Sequence, residues 1–294
     1  MNRPLRSMLF VPADSERKLS KAAGTLADAL IIDLEDSVSE SRKALGRELS
    51  TSYLSSRERA ASDPEMWIRI NPLSSPHALH DLAAVVPVSP AGIVLPKIDG
   101  PEDLATVSNH LDALEVAFDV EQGSIRLLPV VTETPRAALH LSALANNPGG
   151  KRVYGFTWGA EDLSTTVGAS TNLGPDGAWA NTYQFARSQM LLAAATAGVQ
   201  PVETLYSDIT DTEGLRESTR AARAEGFTGR IAIHPGQVDA INEAFTPSVG
   251  EIDYAQRVVA AFASEDTGTV ALEGKMLDAP HLRQAQKILA LAPR

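Results

Sequence analysis

ALIIDLEDSV, residues 29–38, runs four apolar residues straight into Asp33, Glu35 and Asp36 with no basic residue among them. A short β-branched run closed by polar residues reads as a buried strand, and the acids then stand where that strand ends. Runs of the same character recur along the 294 residues: SMLFVPA (7–13), ALIIDLE (29–35), MWIRIN (66–71), GIVLPKI (92–98), IRLLPVV (125–131), RVYGFTWG (152–159), VQPVETLY (199–206) and RIAIHP (230–235). Segments of helical period separate them, at 15–23, 42–54, 77–85, 101–117, 135–145, 181–197 and 212–225. Pro101 with Glu102 and Asp103 opens one of these segments, and Gly198 and Gly226 close two others.

Eight strands alternating with helices predict an α/β fold, a (β/α)8 TIM barrel. The pattern continues past the eighth strand, with helical periods near 236–245, 251–264 and 280–291 and the Gly-containing stretch EDTGTVALEGKML read as a loop. A barrel needs one helix after its last strand. The expected division is therefore a barrel over 1–245 and a C-terminal helical extension over 246–294, packing on the barrel or on a neighbouring subunit.

Composition narrows the function classes. Lys+Arg 26 against Asp+Glu 37 gives a net charge of −11, which disfavours a nucleic-acid backbone or an anionic membrane as partner. No cysteine is present, so disulfides, thiolate metal sites and a cysteine nucleophile are excluded. MNRPLRSMLF lacks the apolar core of a signal peptide, and no run approaches the roughly 20 residues that span a bilayer; a soluble cytoplasmic protein is expected.

In a parallel barrel the site lies at the carboxyl ends of the strands. Gathered there are Asp33, Glu35 and Asp36 from strand two, Arg69 and Asn71 from strand three, Lys97 from strand four, Glu133 from strand five, Glu161 and Asp162 from strand six, and His234 from strand eight. So many acids with one arginine and one lysine repel one another unless a cation joins them. Carboxylates without cysteine or paired histidine suit a hard ion, Mg2+ or Mn2+. The same residues admit plainer roles. Thr134-Pro135 and Glu161-Asp162 are good helix starts, Arg69 can pair with a strand-two acid, and His234 before Pro235 reads as structural.

The blocks RSMLFVPADSERKLSKA, LIIDLEDSV, WIRINPL, VLPKID, VVTETPRAAL, FTWGAEDLSTTVGA, GFTGRIAIHPGQV and LEGKMLDAPHLRQAQKIL resemble, in this order, the citrate lyase beta subunit and malyl-CoA lyase family, an HpcH/HpaI aldolase-like group. The resemblance implies a Mg2+-dependent enzyme that cleaves or forms a carbon–carbon bond between an acyl-CoA and a 2-oxo acid. It implies Glu133 and Asp162 as metal ligands, Arg69 as the clamp on the substrate carboxylate, and Asp278 as the catalytic acid carried by the extension. Glu35 and Asp36 then hydrogen-bond the metal's waters and orient Arg69, with Asp36 close to the chemistry. Ala13 departs from the glycine common in the family, at a position where contacts with CoA are expected.

Malyl-CoA or citramalyl-CoA would yield acetyl-CoA with glyoxylate or pyruvate, a one-methyl difference worth only ~1–3 kcal/mol of discrimination. A citryl-carrier lyase subunit, a malyl-CoA thioesterase and a non-catalytic barrel are the alternatives; the full set Arg69, Glu133, Asp162 and Asp278 speaks against the last. The resemblance also implies a homo-oligomer, trimer or hexamer, in which Asp278 works on a neighbour's site.

Overall fold

The computed structural model describes residues 4–56, 60, 63–148, 150–264 and 268–292. In chain order these form β1 (Ser7–Pro12), α1 (Glu16–Ala22), β2 (Ala29–Asp33), α2 (Lys43–Ser55), β3 (Glu65–Arg69), α3 (Ala78–Val85), β4 (Gly92–Leu95), α4 (Pro101–Ala117), β5 (Arg126–Pro129), α5 (Pro135–Leu139), α6 (Leu141–Asn146), β6 (Gly155–Thr157), α7 (Glu161–Val167), α8 (Asn181–Ala197), β7 (Gln200–Glu203), α9 (Thr212–Glu225), β8 (Gly229–Ala232) and α10 (Val238–Phe245). There follow α11 (Val249–Ser264), β9 (Thr269–Leu272), β10 (Lys275–Asp278) and α12 (Ala279–Leu291).

β1 to β8 pair in parallel in the order β5-β4-β3-β2-β1-β8-β7-β6. The two ends meet through the parallel bridges Leu127↔Val153 and Val130↔Thr157, which close the barrel. All eight expected strands are present but shorter than the apolar runs, most of them ending early where the chain leaves the sheet to build the mouth. Two helices differ as well. The segment read as 135–145 breaks at His140 into α5 and α6, and α7, which begins at the helix start read at Glu161-Asp162, lies outside the segments of helical period.

Alternation within the strands sorts residues into two cores. Met8, Ala29, Ile31, Trp67, Val94, Leu128, Val202 and Ile231 fill the lumen, whereas Leu9, Leu30, Ile32, Ile68, Ile93 and Leu95 face the helices. Trp67 needs glycine opposite: a Cβ on Gly92 would lie 2.2 Å from its ring. The same parity carries the site. Asp33 and Glu35 continue the Ala29, Ile31 series, and Arg69 continues from Trp67, so the strands that bury aliphatics below present charges above.

The extension has its own small core of Ala255, Val258, Val270, Leu277 and Ala285. Residues 269–277 are not loop, as the sequence suggested, but most of a hairpin in which Val270 pairs with Leu277 and both face inward. Its turn, Glu273-Gly274, takes both residues to positive φ, 52° and 75°, the backbone of a tight two-residue hairpin turn. Glu-Gly is a weaker signal than Asn-Gly, and four-residue strands show little alternation; residues 265–267 of the expected loop lie outside the described residues. Among the described residues no helix is long and apolar enough to cross a membrane.

Candidate active site

Asp33 and Arg69 end adjacent strands and are direct partners in the β2–β3 register. Their side chains meet in a fork, Nε to Oδ1 and Nη2 to Oδ2, both at 2.7 Å. Asp33 also accepts from the amides of Glu35 (2.9 Å) and Ser37 (3.2 Å). Burial acts to raise its pKa, but Arg69 and these donors outweigh that and hold it below the usual carboxylate range. The guanidinium lies 4.5 Å from the centroid of the Phe10 ring, a cation–π contact from β1. Of its five N–H groups, two go to Asp33 and a third faces Glu35, leaving two. The ion pair weighed for Arg69 is thus present, without using up the donors that a ligand carboxylate needs.

Glu35, 3% exposed, stands between the two cations. Oε1 is 2.5 Å from Lys97 Nζ and Oε2 is 2.9 Å from Arg69 Nη1. The second contact is an ion pair out of alignment, and Oε2 has no hydrogen-bond partner among the described residues. Burial pushes the Glu35 carboxyl up, partly offset by Arg69 and Lys97.

Glu133, 5% exposed, follows β5 and faces a cavity of about 280 Å3 lined also by Leu73, Lys97, Asp103, Thr134 and Asp162. Oε2 accepts the Lys97 amide at 2.7 Å, and the stem rests against Gly159, where a Cβ would come within 2.9 Å. Burial pushes its pKa up to about 8; the Lys97 amide and Arg69 oppose that, while the Asp162 and Glu35 charges add to it.

Capping and site roles fall on different residues at strand five. Thr134 Oγ1 accepts the Ala137 amide at 3.0 Å and caps α5, leaving Glu133 to the cavity. At strand six Asp162 lies in the first turn of α7 and still lines the cavity, 3.4 Å from Lys97 Nζ. Asp36 is exposed and reaches Lys97 at 2.9 Å.

Three of the gathered residues, and Asp278 of the extension, lie apart from this cluster. Asn71 is buried, donating to Leu34 O and Asp81 Oδ2. Glu161 is exposed, with Asn172 3.5 Å away. His234 Nδ1 accepts the Gly236 amide, the structural role expected of it. Asp278 immediately precedes α12, its Oδ1 2.6 Å from His281 Nδ1, and it does not line its own chain's cavity. Ala13 is fully buried, its Cβ close to Gly46 of α2.

Phe10 and Gly159 carry the geometry yet were given no role from the sequence, and Asp33 was named only among the strand-two acids that could pair with Arg69. The signal for Asp33 was its parity with Glu35; Phe10 and Gly159 announce themselves only through the partners they touch.

Five acids, Asp33, Glu35, Asp36, Glu133 and Asp162, thus surround two cations, Arg69 and Lys97. Among the described residues no cage of three or more metal-ligating side chains is formed. Glu133 and Asp162, at a cavity that Asp99 and Asp103 also line, with a buried carboxylate oxygen lacking a partner nearby, suit a hard cation that keeps waters and substrate in its shell.

Fold and site together define a TIM barrel with a carboxylate-rich, cation-seeking mouth. Residues 6–235 match the HpcH/HpaI aldolase/citrate lyase family, and residues 183–293 match the C-C bond lyases of the TIM-barrel fold. The chain belongs to the HpcH/HpaI aldolase/citrate lyase family. It is 31% identical over 300 residues to the mitochondrial citramalyl-CoA lyase of Rattus norvegicus, covering 98% of this chain and 86% of that protein. It is 34% identical over 293 residues to the citrate lyase subunit beta of Escherichia coli K12, covering 99% and 94%. The crystal structure of CitE from Mycobacterium tuberculosis in complex with magnesium, acetoacetate and coenzyme A superposes with a TM-score of 0.77 at 31% identity, over 98% of this chain and 97% of that one.

Proposed function

We propose that this protein is a Mg2+-dependent carbon–carbon lyase that cleaves a 3-hydroxyacyl-CoA, malyl-CoA or citramalyl-CoA, into acetyl-CoA and a 2-oxo acid, or runs the condensation. The observation that carries the reading is Glu133, a buried carboxylate facing a cavity beside Asp162 and Glu35. Family membership and the named ligands of the M. tuberculosis relative support it.

Glu133 and Asp162 would hold the ion, with Glu35 and Asp36 accepting from its waters. Bound there, Mg2+ supplies Lewis-acid polarisation of the hydroxyl and carboxylate oxygens of the substrate. Arg69, kept in one orientation by Asp33 and Phe10, takes the substrate carboxylate on its two spare N–H groups. Cleavage breaks the bond between carbons two and three as the hydroxyl gives up its proton to water and its oxygen becomes the carbonyl of the 2-oxo acid, leaving a thioester enolate. Asp278, delivered by the extension of a neighbouring chain, protonates its terminal carbon, and in condensation removes that proton from acetyl-CoA. The barrel and the extension act as separate bodies in this reading. An exposed Met276 (77%) and Val249 (85%) on the extension support an arm that packs on another copy, in a trimer or hexamer.

The deciding assay supplies citramalyl-CoA and malyl-CoA to the purified protein with Mg2+ or EDTA and follows acetyl-CoA, free CoA and the 2-oxo acid. Acetyl-CoA with pyruvate or glyoxylate, lost in EDTA and in E133A and D162A, is expected. Free CoA without a 2-oxo acid would instead identify a thioesterase. The similarity to the E. coli citrate lyase subunit supports a second reading, which predicts activity only with a citryl-carrier protein and partner subunits.

A further inference from the structure

Lys97 touches every carboxylate that the metal reading uses, yet has no task in it. It follows β4 with φ of 50°, the left-handed region that a long side chain enters only when its surroundings compel it. That backbone aims two groups of one residue in two directions. The amide donates to Glu133 Oε2 at 2.7 Å. The ammonium reaches Glu35 Oε1 at 2.5 Å, Asp36 Oδ2 at 2.9 Å and Asp162 Oδ1 at 3.4 Å. Its partners keep it charged: burial acts to lower its pKa, but Glu35, Asp36 and Asp162 raise it further above the ordinary lysine range.

We propose that Lys97 is a resident counter-cation: its ammonium holds Glu35, Asp36 and Asp162 together in the metal-free protein and yields Asp162 when a divalent ion enters. The contact lengths order the exchange, since Asp162 is both the loosest of the three and the proposed metal ligand. Without a cation these acids would splay; with a tethered one they stay assembled. The same charge repels an incoming divalent ion and competes for an oxygen that the ion needs, so Lys97 would set the affinity of the site. A lysine that merely buttressed the acids would act oppositely, its loss disordering the ligands and weakening metal binding.

The inference rests on the Mg2+ reading, and titration calorimetry with MgCl2 on full-length protein separates the two. K97M keeps the aliphatic stem and the same backbone demand while removing the charge. It is expected to bind Mg2+ about tenfold tighter than wild type, because a positive charge a few ångströms from the ion is gone. Its melting temperature in EDTA should fall, and the rise on adding Mg2+ should exceed that of wild type. K97R, which keeps the charge, should bind no tighter than wild type. If K97M is too unstable without metal to titrate, K97Q, neutral and still able to hydrogen-bond Glu35, carries the same expectation. Wild type that binds Mg2+ while the neutral variants bind equally or more weakly overturns the role of Lys97 and leaves the metal reading standing. Folded wild type that takes up no Mg2+ overturns both.

Discussion

Arg69 owes its orientation to three unlike contacts: a forked pair with Asp33, an ion pair with Glu35, and the face of Phe10. Only a planar fork satisfies all three, since a lysine ammonium offers a point charge and no plane to stack. R69K is therefore expected to lose about 2–4 kcal/mol of transition-state stabilisation, read as a fall in kcat/KM at unchanged fold. Near-normal kcat/KM would assign Arg69 to structure alone. Asp33 makes the complementary prediction about stability. Its folded pKa is depressed, so its contribution is present above about pH 4, where the unfolded carboxylate is ionised, and disappears as pH falls through the lower folded value. D33N should be less stable than wild type at pH 7, with the gap in urea midpoint closing in strong acid. A gap that does not narrow at all as pH falls from 5 to 2 would mean that the fork contributes through shape rather than charge.

Among the elements, α12 begins at a residue with two jobs. Asp278 occupies the position before the helix and contacts His281 in its first turn, the plainer role open to it; the catalytic role requires the same carboxylate to serve a different barrel. Asparagine distinguishes them, because it remains a good residue at a helix start while losing the acid. D278A is expected to cost the extension about 0.5–2 kcal/mol and to abolish turnover. D278N should recover most of the stability and none of the activity. Full activity in D278N, measured by acetyl-CoA release, would leave the carboxylate with a structural role only.

For the whole molecule, the question is whether one chain contains a complete site. Arg69, Glu133 and Asp162 come from the barrel, and Asp278 from an extension whose hairpin and helices pack on each other through their own core. E133A and D278A proteins should each be inactive. Mixed through denaturation and renaturation, they should regain part of the wild-type activity, since some interfaces would join an intact metal site to an intact acid. Mixtures as inactive as their parents, in assemblies shown by light scattering to have exchanged chains, would mean that the acid serves its own barrel or none.

The amino-acid sequence by itself determined the eight strands, their parallel arrangement and the set of acids at the mouth, because apolar runs and the polar residues that end them are properties of neighbouring residues. Parity within ALIIDLE already placed Asp33 and Glu35 with the lumen residues Ala29 and Ile31. What only the tertiary structure decided is which of these charges are committed to one another: Asp33 to Arg69, Asn71 to Asp81, and Lys97 to three carboxylates. Those pairings join residues up to 65 positions apart, Lys97 and Asp162. Barrel closure brings them together, and burial, which makes the pairings count, arises only when all strands are in place. The hairpin of the extension escaped the sequence for the same reason, its short strands being held by α11 and α12 rather than by any pattern of their own.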